Sequence, residues 1–134
     1  MTPTLYGRWQ TRLLLLFSIG VPITALFAWF YRSSTPFVLL WWVLIFGFGW
    51  DALFNQWQNR RWDRDWPPTL QLAGGIIEAI WLAIVVYWIS PLQPPLPFTF
   101  ILHYSTVWIA TFLASQSIMR LIFPRWRFRG GQWL

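Results

Sequence analysis

Four long apolar runs divide the chain, separated by short stretches rich in proline, serine or charge. They are Leu13–Tyr31, Phe37–Phe54 (with a polar continuation to Gln58), Leu70–Ile89, and a run from Phe98 to about Phe123. Each holds at least 18 residues. About 20 helical residues at ~1.5 Å each cross a hydrocarbon core of ~30 Å. Helices are required, because lipid leaves no water to satisfy open backbone groups, and four such segments are too few to close a barrel. The pattern predicts an all-α integral membrane four-helix bundle, residues 1–134 as one domain, with spans over about 13–31, 37–58, 70–89 and 98–123.

The breaks between the runs carry the expected punctuation. "RSSTPF" separates the first two spans and "SPLQPPLP" the last two. Pro91, Pro94, Pro95 and Pro97 stop one helix and keep the connection extended. Pro22, two residues after Gly20, predicts a distortion of the first span. The N-terminus lacks an A-x-A-like cleavage site, so its apolar run reads as a span rather than a secretory signal.

Composition strengthens the membrane reading. Hydrophobic residues make up 57% of the chain and charged residues only 10%, against roughly 45–50% and 25% in soluble domains. Every one of the ten cationic residues is arginine, and cysteine is absent. Thiolate chemistry, disulfides and cysteine-based metal sites are therefore excluded. The net charge of +6 would suggest nucleic acid in a soluble protein. Here the arginines cluster at span ends, which makes anionic lipid the expected counter-charge and nucleic acid no partner.

Their distribution also orients the bundle. One side carries Arg8, Arg12, Arg60, Arg61, Arg64, Arg120, Arg125, Arg127 and Arg129, and the other Arg32 alone. The positive-inside rule then places both termini in the cytoplasm. Small four-span exporters and fluoride channels insert both ways with weak charge bias. The strong bias here, and a first span without a carboxylate, set this chain apart from both.

Candidate chemistry falls in two places. The first is inside the membrane, where ionisable residues are functional candidates by default. Gly47, Asp51, Asn55 and Gln58 share one face of the second span; Gln71, Gly74, Gly75 and Glu78 share one face of the third. Gln116 and Arg120 stand one turn apart on the fourth. Glu78 lies eight residues beyond Leu70, roughly 12 Å into the core. The expected intramembrane polar cluster is Asp51, Asn55, Glu78, Gln116 and Arg120, with Asp51 or Glu78 paired to Arg120 or, alternatively, a glutamic acid kept neutral by desolvation. The cluster reads either as a device that specifies helix packing or as a ligand or proton site. His103, the single histidine, is a candidate axial ligand for a haem or chlorophyll, or a partner for a neighbouring helix. The runs Gly75-x3-Ala79-x3-Ala83 and Thr106-x3-Ala110-x3-Ala114 mark close helix contacts.

The second place is the segment between the second and third spans: Arg60, Arg61, Trp62, Asp63, Arg64, Asp65 and Trp66. Continuing the helix to Trp66 would pair Arg60 with Asp63 and Arg61 with Asp65, and set Trp62 and Trp66 on one face. Thr69 would cap the third helix. The segment reads as an interface-anchored loop, and as a surface for docking a partner, since Trp and Arg dominate binding hot spots. The 13 tryptophans fit an aromatic belt at the membrane interfaces, with carotenoid or tetrapyrrole binding as the alternative use.

The run "GWDALFNQWQNRRWDRDWPP", Gly49–Pro68, resembles a segment of small uncharacterised four-span membrane proteins of bacteria, including cyanobacteria. The resemblance implies a bacterial cytoplasmic or thylakoid membrane and brings no activity with it. No nucleophile–base set and no metal motif stands out. The expectation is a non-enzymatic accessory, assembly or scaffold protein that needs no cofactor. Its partners would be membrane lipids, a larger membrane complex and further copies of itself. The alternative is a transporter or a lipid- or pigment-binding protein using the intramembrane cluster.

Overall fold

The computed structural model describes residues 3–90 and 95–132. Pro91 and Pro94 lie outside them. Four helices are long and apolar enough to cross a membrane: Leu5–Tyr31, Thr35–Arg60, Pro68–Ile89 and Pro97–Ile122. The protein is therefore an all-helical, multi-pass membrane bundle. The first span begins eight residues before the apolar run does. Thr4 caps it, its side chain accepting from the Gly7 N–H, so Arg8 and Arg12 are inside the helix rather than ahead of it.

Pro22 leaves its mark one turn earlier. Residues Leu16–Gly20 form a π-helical turn before the helix resumes at Val21. Such bulges absorb the carbonyl that a proline cannot pair with. The third span ends in a second π turn, Val85–Ile89, and the fourth breaks at Ser117 before a last helical stretch, Ile118–Ile122.

The first span packs against the second and the fourth, and the second against the third. Among the described residues, the third and fourth have little close backbone contact. They meet at one end through Leu82, Val86 and Phe100, which join Leu39 in a buried cluster. Elsewhere large side chains bridge them: the Tyr104 hydroxyl donates to the Gly75 carbonyl at 2.8 Å, and a methyl on Gly75 would overlap the Trp108 indole. Gly74 faces the Phe54 ring in the same way. The small residues of the third span thus admit aromatic rings from its neighbours, not another small-residue helix face.

The two termini meet. The Thr4 N–H donates to the Gly130 carbonyl at 2.8 Å, the Thr11 hydroxyl to the Gly131 carbonyl at 2.9 Å, and the Trp126 indole N–H to the Thr11 hydroxyl at 2.9 Å. Gly130 and Gly131 both adopt positive φ, where a side chain would be strained. Trp126 is buried against Leu15, Ala114 and Met119. The tail is tied across the start of the first helix, and the first and last described residues lie on one face of the bundle, called the terminal face below.

Candidate functional site

A charged network sits inside the bundle on the terminal side. Arg12 is its centre. Its Nε donates to Asp51 Oδ2 at 2.8 Å and its Nη2 to Asp51 Oδ1 at 2.9 Å. The same guanidinium reaches Glu78, Nη2 to Oε1 at 2.9 Å and Nη1 to Oε2 at 3.1 Å. One arginine thus grips two carboxylates, each through both oxygens, the strongest geometry available to this pair of groups.

Helical arithmetic explains why these three meet. Arg12 is seven residues from Leu5, Asp51 nine from Arg60, and Glu78 ten from Pro68, depths of roughly 10–15 Å from the terminal face. Gly47, one turn from Asp51, clears the space: a methyl group there would overlap the Arg12 guanidinium. Asp51 and Glu78 are buried, and the Arg12 side chain is 16% exposed.

Arg8 occupies the next turn toward the terminal face. Its guanidinium carbon lies 4.5 Å from the centre of the Trp66 ring, and its Nη2 donates to Gln58 Oε1 at 2.6 Å. Gln58 Nε2 in turn donates to the Arg64 carbonyl at 2.9 Å. Gln58 therefore stitches the first span to the inter-span loop. Trp66 is buried against Phe54 and Trp57. The Nε of Arg8 is buried without a hydrogen-bond partner among the described atoms.

These groups line a central cavity of about 320 Å³. Arg12, Asp51 and Glu78 form its polar wall, and Tyr104, Trp108 and Phe112 its aromatic wall on the fourth span. Toward the terminal face Gln116 spans the gap between the third and fourth helices, donating to Gln71 Oε1 at 3.3 Å while accepting from Arg120 at 3.0 Å.

The sequence-predicted cluster is therefore half assembled as expected. Asp51 and Glu78 do come together. Their cation is Arg12, not Arg120, which is exposed and bonded to Gln116. Asn55 is half-buried and takes no part. Hydropathy ends a span at its first charge and so placed Arg12 at the membrane edge. The signals that could have found it are the one-turn spacing of Arg8 and Arg12 and the need of two buried carboxylates for a cation at their own depth.

His103 is almost wholly buried. Its Nε2 lies 2.9 Å from the hydroxyl of fully buried Thr24, and Phe27 meets the ring edge-on. The histidine joins the first and fourth spans, and axial ligation through Nε2 would require breaking the Thr24 bond.

The loop differs from its expected form. The helix ends at Arg60, so neither helical pair exists. Instead Arg61 Nε and Nη2 donate to Asp63 Oδ1 and Oδ2 at 3.1 and 3.0 Å, and Asp63 Oδ1 also accepts from the Asp65 N–H. The Arg61 hydrogen bonds hold the Asp63 carboxyl below the ordinary aspartate range. Arg64 takes a left-handed φ of 51°. Trp62 and Trp66 part company: Trp62 is 95% exposed and Trp66 6%. Pro67 disfavours the helical region only at Trp66; the earlier stop at Arg60 goes with the Asp63 side chain, which binds Arg61 and the Asp65 N–H in a local arrangement that competes with a helix. The third helix starts at Pro68, ahead of Thr69, with no side-chain cap.

No family model, curated protein or solved structure matches the chain.

Proposed function

We propose that this is a non-enzymatic membrane protein that holds a small molecule between its spans, in a bacterial cytoplasmic or thylakoid membrane, with both termini cytoplasmic. The central cavity with a charged wall supports this reading. As mere glue, a buried ion network is a poor choice, because well-packed apolar side chains are commonly as good or better. The cavity, about 320 Å³, has room for a small molecule, and pockets of this size and mixed lining suit one. The arginine bias toward the terminal face supports the orientation.

Purification in a mild non-ionic detergent followed by native mass spectrometry and extraction tests the proposal. A species near one per protein is expected, reduced in a Thr111→Phe variant that fills the cavity from the fourth span. A protein that carries nothing above the detergent background overturns it, as does a species unaffected by the variant. Reporters fused to either terminus should read cytoplasmic.

A second reading is favoured by Trp62. A tryptophan 95% exposed beside the Arg61–Asp63 pair is suited to docking a larger membrane complex, as an accessory or scaffold subunit would. Loss of a co-purifying partner in Trp62→Ala, with the protein otherwise intact, is the expected outcome.

A further inference from the structure

We infer that the cavity takes a small organic cation: a protonated amine on an apolar, preferably aromatic, body. This rests on the reading that the cavity holds a small molecule. The argument is an inventory of hydrogen-bonding capacity. A guanidinium has five N–H groups, and four of Arg12's are spent on Asp51 and Glu78. The fifth is on Nη1, the atom beside Gly47. Arg12 thus offers almost nothing to an incoming acceptor. The carboxylates are in the opposite condition. Each of their four oxygens accepts one bond from Arg12, and each can accept a second. Arg12, Asp51 and Glu78, taken by themselves, therefore present open acceptors and one negative charge in excess.

The rest of the lining agrees. Tyr104, Trp108 and Phe112 face the cavity, and ring faces attract ammonium groups. Leu15, Leu82 and Val107 supply the surface for an apolar body. The competing donor is Arg8 Nε, buried and unpartnered on a residue that lines the same cavity. Arg8 lies one turn from Arg12, about 6 Å along the helix, so its charge balances the sum of all four ionised groups. Its guanidinium, however, is held by Gln58 and the face of Trp66. An anion bound there would also stand against two carboxylates one turn deeper, in a medium of low dielectric. A cation meets the reverse situation.

The experiment compares three probes of nearly equal shape, titrated against the protein in non-ionic detergent with empty micelles subtracted: 2-phenylethylamine as the cation, 2-phenylethanol as the neutral form and 3-phenylpropionate as the anion. The amine is expected to bind at least tenfold tighter than the alcohol, and the acid weakest of the three. In Glu78→Gln, where Arg12 keeps both bonds to Asp51, that advantage should fall about tenfold. Should this variant not fold, the ranking on the unaltered protein decides alone. An amine no tighter than the alcohol, or an acid that binds best through Arg8, overturns the cation assignment while leaving the cavity a binding site. Failure of all three probes to bind overturns the small-molecule reading itself.

Discussion

Two of the arginine–carboxylate pairs among the described residues, Arg12–Asp51 and Arg61–Asp63, have nearly the same geometry in opposite surroundings. Arg12 meets Asp51 at 2.8 and 2.9 Å, and Arg61 meets Asp63 at 3.0 and 3.1 Å. The first joins residues 39 apart in sequence and adds a second carboxylate 66 away, inside the bundle. The second joins residues two apart, on a loop with side chains about a third and a quarter exposed. Bond lengths do not distinguish them. Solvent does: water competes for the loop pair and screens it, so such pairs contribute little, whereas removing one member of the buried set strands a charge where nothing can solvate it.

The contrast can be broken most forcefully at Arg12. Arg12→Met leaves Asp51 and Glu78 without a cation, and a loss of about 3–5 kcal/mol is expected, read as a fall in the thermal midpoint in detergent or as failure to insert. Arg61→Met should leave the midpoint unchanged. Equal effects would show that the buried network is as wet as the loop. Removing the whole set sharpens the point. Arg12→Met, Asp51→Leu and Glu78→Leu together should recover most of the stability lost by Arg12→Met alone, within about 1–2 kcal/mol of the parent. Probe binding should not return with it. A triple variant that binds the amine as the parent does would separate the network from the cavity.

A smaller test uses two glycines of the second span. Gly47→Ala places a methyl against the Arg12 guanidinium and should cost about 1–3 kcal/mol through overpacking. Gly49→Ala meets nothing within 4 Å and should be neutral or stabilising by up to ~1 kcal/mol from helix propensity. The ordering matters more than either value, and thermal midpoints of the two variants measure it.

The smallest effect is expected on the loop. The Asp63 carboxyl is lowered by Arg61, so its contribution is present above the ordinary aspartate range and is lost as pH falls through the depressed folded value. Acid should therefore loosen the loop only below about pH 4. Protease cleavage at Arg60, Arg61 and Arg64, with an acid-active and a neutral enzyme compared, follows this directly. Asp63→Asn should show the looser pattern already at neutral pH.

The fold was legible because membrane insertion reduces to length and apolarity, and all four spans announce themselves in that way. Part of the site was legible too. Asp51 and Glu78 stand out as carboxylates in apolar helices, and helical spacing puts Gly47 and Gln58 on the face of Asp51. Arg12 was hidden by the same rule that found the spans, since a hydropathy run stops at a charge that a distant carboxylate can neutralise. The loop differs for a local reason: i,i+3 and i,i+4 pairs presume a helix, and the chain leaves the helix at Arg60, after which Asp63 bonds two residues back to Arg61. Thr24 beside His103 lay beyond reach, because two neutral polar residues carry no sign of being partners.

The wide sequence separation within the Arg12 network sets an order of events during biosynthesis. At roughly 5–20 residues per second, Glu78 leaves the ribosome about 3–13 s after Arg12, behind the intervening 66 positions. Asp51 precedes it, leaving about 2–8 s after Arg12 at a separation of 39 positions, and until then the first span has a cation and no acid to receive it. The economical resting place is shallow, with Arg12 snorkelled to the headgroups and the helix engaged from Leu13 onward. The span that hydropathy delimits is then the span as it first enters the lipid. Its further descent, from Leu13 back to Leu5, is expected once Asp51 arrives on the second helix, with Glu78 on the third completing the site.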